Sequence, residues 1–220
     1  MMSSRVARAF TLIELLVVLG LIALLMGGLG LGLREGQAAG ALQTGQGMMA
    51  SLLSAARGQA ALTQRRVLLV VEAEAESEDF LRRIHLVYET TPGSDRWEGR
   101  SDGVLLPAGI FVVPGLANVS GAAFAAGSAA WPARRRSSLE PAMAGRITTP
   151  TGQGGGYLRM TAPFEVAESG AAGGGERLVL AVARRTATGV EFANPEAVRG
   201  VVLSSYGVAV LVNEGVGFEF

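Results

Sequence analysis

The stretch "RVARAFTLIELLVVLGLIALLMGGLGLGLRE", residues 5–35, is apolar enough to lie in a membrane, yet Glu14 stands just inside its front edge. No residue from Leu15 to Leu33 is charged, and those 19 residues extend about 28 Å as a helix, close to the roughly 30 Å hydrocarbon core of a bilayer. Arg5 and Arg8 precede the run with no acid before Glu14. The positive-inside rule therefore predicts a cytoplasmic leader, with the bulk of the chain on the other side. A secretory signal peptide has an apolar core of roughly 7–15 residues, shorter than this run, although "QAAGA" at 37–41 imitates a cleavage site. A plain signal anchor explains the leader and the run but not the acid, which costs about 2.5–3.5 kcal/mol at mid-membrane and less toward the edge. Glu14 needs a partner.

The run Ala9-Phe10-Thr11-Leu12-Ile13-Glu14-Leu15-Leu16-Val17-Val18 resembles the class III signal of type IV prepilins and type II secretion pseudopilins. That resemblance implies a cut by prepilin peptidase between Ala9 and Phe10 on the cytoplasmic side, and N-methylation of Phe10. Family members usually have Gly where this chain has Ala9; Ala is the closest steric substitute, so slower cutting is the implied consequence. Glu14 would then lie one helical turn from the new amine and pair with the amine of a neighbouring subunit, which offsets the cost of burying either charge alone. Its place in the first turn also suits the helix dipole.

The resemblance further implies a structural subunit, minor pilin or pseudopilin, of a type II secretion pseudopilus or type IV pilus, with no enzymatic activity, cofactor or metal. Its implied partners are prepilin peptidase, other pilin or pseudopilin subunits and the bacterial inner membrane. The implied topology is a single pass, with the N-terminus cytoplasmic and the globular domain periplasmic or extracellular.

Outward from this run, the sequence divides into a leader (1–9), a transmembrane and filament-core helix (10–33), the outer half of a stalk helix (34–65) and a β-rich domain (66–220). Glycines from Gly27 to Gly47 weaken the helix, each by about 1 kcal/mol relative to Ala. They suit either close helix approach in a membrane or a segment able to lose helicity, and pilin resemblance favours the second. Met49, Leu52, Leu53, Ala56 and Ala60 then form a helical stripe expected to cover a sheet. From Val67, runs such as "VLLVVEAEA", "FLRRIHLVYETT", "ERLVLAVARRT" and "VRGVVLSSYGVAVLVNE" alternate with Gly, Pro, Ser and Asp clusters, which predicts antiparallel strands. The fold class expected is α+β: a long helix on an antiparallel sheet or small β-sandwich. Residues 115–156, rich in Gly, Ala and Ser, read as an extended loop. "LLSAARGQAALTQRRVLLVV" with "DGVLLPAGIFVV" is similar to the GspH/FimT-type minor pseudopilin domain. A Phe-x-Pro-x-Gly element frequent in that group is replaced here by Ser204-Ser205-Tyr206-Gly207.

The composition excludes several chemistries. Nineteen basic side chains, all arginine, balance nineteen acids, so no general attraction to nucleic acid or anionic lipid is expected. Without cysteine there is neither a disulfide framework nor a thiolate nucleophile. The sole histidine, His85, lies in an alternating run and reads as structural. No nucleophile elbow or phosphate loop occurs. "EAEAESED" at 72–79 reads as a solvated face rather than a calcium site. Arg134, Arg135 and Arg136 with Trp131 nearby are the one candidate nucleic-acid contact, on which an alternative role in DNA uptake by a FimT-like minor pilin would depend. A solvated loop is the competing reading.

Overall fold

A helix of 52 residues, α1 (Leu12–Thr63), opens the architecture and runs through the glycine-rich stretch as helix. The structure, a computed structural model, describes residues 12–115, 131–132, 135–142, 145–150, 152–153, 156–160, 176–187, 189–192, 194–204 and 207–213, the side chains of 26–35 and 152–153 excepted. The chain divides into two compact units, Met1–Ala39 and Gly40–Phe220. The outer helix, expected as a separate segment 34–65, thus belongs from Gly40 onward to the β-rich unit. Its apolar face explains this: Leu42, Met49, Leu53, Ala56 and Ala60 are all buried at helical spacing. Gln64, at φ 52°, ends the helix in the left-handed region.

Thirteen strands follow among the described residues. They are β1 (Val67–Glu72), β2 (Arg83–Glu89), β3 (Trp97–Gly99), β4 (Val104–Leu105), β5 (Ile110–Val112), β6 (Leu139–Pro141) and β7 (Ile147–Thr149). Then come β8 (Gly152–Gln153), β9 (Tyr157–Met160), β10 (Arg177–Thr186), β11 (Gly189–Phe192), β12 (Val198–Leu203) and β13 (Ala209–Val212). Eight form one sheet in the order β6-β9-β1-β2-β3-β7-β8 with β4 beside β2; β11-β10-β12-β13 with β5 beside β10 form the other. Every pairing is antiparallel except β3–β7, where Trp97 faces Ile147 and Glu98 faces Thr148 in parallel. The α+β expectation holds; the purely antiparallel sheet does not.

Burial explains the order of the strands. Val67, Leu68, Leu69, Val70 and Val71 are all fully buried, so both faces of β1 are covered, as an unbroken apolar run demands. β1 accordingly sits inside its sheet, registered with β2 from Val67↔Tyr88 to Val71↔Ile84 and with β9 through Val70↔Arg159. The buried residues of α1 and of both sheets form one apolar cluster.

Two contacts bring α1 onto the second sheet. A Cβ on Gly45 would stand 3.2 Å from Leu180 Cδ1 and 3.4 Å from Ile110 Cγ2, so glycine here permits close approach to β10 and β5. One position on, buried Gln46 donates from Nε2 to the carbonyls of Gly200 in β12 and Val212 in β13, each at 2.8 Å.

The stretch 115–156 is not a loop throughout: β6, β7 and β8 lie within it. Leu139 and Ile147 are buried, and Thr149 shares a hydrogen bond of 2.8 Å with the Tyr157 hydroxyl of β9. β6 and β7 are each only three residues long, too short to show an alternating pattern inside a Gly-, Ala- and Ser-rich stretch.

Candidate functional site

The candidate site is the first turns of α1. Glu14 is the acid of its first turn, where the exposed amide groups of a helix N-terminus favour negative charge. Around it every residue from Leu12 to Leu25 is exposed, including Leu12 at 78% and Ile13 at 72%. An apolar surface of this extent marks contact with lipid or with another protein. Ala9 and Phe10, the two sides of the expected cut, lie outside the described residues.

Among the described residues, no helix is long and apolar enough to cross a membrane. The described side chains of the run end at Leu25, and from Leu12 they cover about 21 Å of helix at 1.5 Å per residue. The expected span, 10–33, also takes in Phe10, Thr11 and side chains after Leu25 that lie outside the description.

The arginine cluster is placed differently from either sequence expectation. Arg134 lies outside the described residues, whereas Arg135 and Arg136 are buried, at 7% and 6% exposure. Arg135 donates from Nη1 to the Pro195 carbonyl at 3.0 Å and forms an ion pair with Glu196. Arg136 donates from Nε to the Trp131 carbonyl at 3.1 Å, and burial pushes its pKa down. Trp131 is itself buried against Phe192, with ring centroids 5.3 Å apart. Neither an exposed stacking surface nor a solvated loop describes these three side chains; they tie the segment before β6 to the β11–β12 region.

The acids of 72–79 are dispersed rather than convergent. Glu74 accepts a hydrogen bond from the Gly156 amide at 3.0 Å, and Asp79 accepts one from Arg83 Nε at 2.7 Å. Arg185 binds the carbonyls of Ala75 and Ser77 from β10. Among the described residues no group of three or more His, Asp or Glu side chains is placed to hold a metal ion.

His85 is fully buried in β2, opposite Val70 of β1. Neither ring nitrogen has a hydrogen-bond partner. Burial pushes its pKa down; the Ser101 backbone lies near enough to pull partly the other way. On the same strand, buried Glu89 accepts from Arg66 Nε at 2.8 Å, and this bond holds its carboxyl below the usual range. Gln46 was missed by the sequence reading, although its place between Leu42 and Met49 on the apolar face is a usable signal for a buried polar link.

Residues 4–30 match the family described as the prokaryotic N-terminal methylation motif. No curated protein and no solved structure matches the chain. The matched residues contain the expected cut and Glu14, and they support a type IV pilin-like prepilin, processed by prepilin peptidase and assembled with other pilin subunits.

Proposed function

We propose that this protein is a structural subunit, a minor pilin or pseudopilin of the GspH/FimT type, in a type II secretion pseudopilus or type IV pilus. The exposed apolar helix of Leu12–Leu25 carrying one acid, Glu14, in its first turn is the observation that supports this most. In this reading the chain crosses the bacterial inner membrane once through residues 10–33, with its β-rich unit periplasmic or extracellular. Prepilin peptidase cuts before Phe10 and Phe10 is methylated. Glu14 pairs with the amine of a neighbour's Phe10 when the helices pack, so neither charge is buried alone. The subunit does no chemistry of its own.

The test joins processing to assembly. Mass spectrometry of the membrane-extracted protein is expected to find an N-terminus at methylated Phe10. Glu14→Val is expected to leave insertion and cleavage intact while cross-linking to other pilin-like subunits is lost, and Glu14→Gln to be nearly as damaging. A mature chain starting at Met1 or after residue 41 refutes the reading, and normal incorporation of both variants refutes the role of Glu14.

A further inference from the structure

His85 is a buried titratable group that assembly through the N-terminal helix does not use. Its imidazole is enclosed on three sides by strong elements. β2 carries it, β1 runs alongside with five registered pairs, and Tyr157 of β9 meets it edge-on, with ring centroids 6.0 Å apart. The fourth side is closed by a short connection between β3 and β4. There Gly103, at φ 77°, passes so close that a Cβ would lie 2.7 Å from His85 Nδ1 and 2.6 Å from the Ile84 carbonyl oxygen. Residues 100–103 belong to no strand. They are held by Arg83 Nη1 donating to the Asp102 carbonyl at 2.7 Å, by the two-residue pairing of β4 with β2, and by the Leu106 amide donating to the Arg82 carbonyl at 3.0 Å.

We propose that Ser101–Gly103 is an acid-released cover: a proton on His85 drives this connection, with β4, off β2 while the β1–β2 ladder stays paired. Burial outweighs the Ser101 backbone and the Glu72 and Asp102 carboxylates, which favour the charged ring, so a protonated imidazole gains by reaching water, and the element that yields is the one with fewest bonds to lose. The charged groups facing the ring are Glu72 on β1, Arg83 on β2 and Asp102 in the cover; Tyr157 presents a phenol whose hydroxyl is engaged by Thr149. Opening also moves Val104, which with Gly47, Met48, Ser51, Leu52 and Ala55 lines a surface groove of about 470 Å³ along α1. The β-rich unit would thus alter the surface beside its helix when the surrounding medium acidifies.

The size of the effect follows from linkage. Burial lowers the closed form's affinity for the proton, and the open form takes it with an ordinary histidine pKa of about 6.5. The opening constant then grows as pH falls from 7.5 to 5.0, by at most about 30-fold. The experiment is hydrogen–deuterium exchange on the full chain in detergent micelles at both pH values, corrected for intrinsic exchange. Protection at Ser101–Leu105 should fall severalfold, and by at most about 30-fold, while Leu68–Val71 stays protected. His85→Phe, which fills the slot without titrating, should abolish the change, and Gly103→Ala should open the cover at both pH values. In the wild type the loss of protection should set in as pH falls below about 6.5, the pKa of the open form. Unchanged protection at pH 5.0, equal loss across β1, persistence of the loss in His85→Phe, or a loss that is already complete above pH 7 would each overturn the proposal.

Discussion

Replacing Gln46 by leucine keeps an apolar volume in the helix face but removes both N–H donors from the carbonyls of Gly200 and Val212. Both bonds measure 2.8 Å and the side chain is 3% exposed, so water cannot take over without local opening. A buried acceptor left without its donor costs about 1–3 kcal/mol, and two are affected; relief from burying the amide returns part of this. A net loss of about 2 kcal/mol is expected, which lowers the melting temperature by about 4–8 °C for a chain of this size. Thermal unfolding of the full chain in detergent reads the total, and hydrogen exchange at β12 and β13 reads its location. Gln46→Glu separates donor loss from shape. Its carboxylate would face two carbonyl oxygens at neutral pH, while the protonated acid can donate one bond. The folded-state pKa is therefore raised, and the variant should gain stability relative to wild type as pH falls. A change in melting temperature under about 1 °C for Gln46→Leu refutes the claim that this bridge holds α1 to the second sheet.

Gly45→Val is expected to destabilise by about 1–3 kcal/mol, because its branched side chain has nowhere to go beside Leu180 and Ile110. Gly58→Ala, with nothing within 4 Å of the added methyl, should stabilise by about 0.5–1 kcal/mol; urea unfolding of both variants checks the contrast. Arg66→Ala should cost about 1–3 kcal/mol, less than a fully buried pair since Arg66 is 31% exposed while Glu89 is 2% exposed. Because Glu89 is held below its ordinary carboxyl pKa, the wild-type advantage over Arg66→Ala should be complete above about pH 5 and vanish as pH falls through the folded-state value, as parallel unfolding curves would show. Arg136→Met should lower stability by about 1–3 kcal/mol through the Trp131 carbonyl it leaves without these donors, and a melting temperature equal to wild type would refute that link.

The helix and the long strands were legible because their signals are local. The stripe from Met49 to Ala60 reports one buried face directly, and the apolar Val67–Val71, with turn clusters after it, reads as a β-rich run. β3 hides in a turn-like stretch, since Trp97-Glu98-Gly99 is too short to show alternation and is defined by partners at Glu89 and Ile147. β6 and β7 escape for the same reason: nonlocal pairing rather than their own composition makes them strands. The arginines mislead because charge normally means exposure, whereas Arg135 and Arg136 find acceptors in Pro195, Glu196 and Trp131. Glu14 was legible from its conflict with its surroundings, an acid in an apolar run, and no nearby packing was needed to notice it.

The pairing of β1 with β9 sets a constraint on how the molecule is made. Val70 and Arg159 are neighbours in the sheet although nearly ninety residues of chain separate them, and β5 waits similarly for β10. Closing such loops precedes the contacts that reward it, so folding is slow for a chain of this size. During synthesis β1 and β2 emerge as a hairpin whose outer edge stays open until Met160 has appeared. A flat apolar edge of this kind recruits other strands. Tethering the nascent chain by its first helix would keep those edges apart, so that an anchor serves not only where the subunit ends up but how safely it arrives.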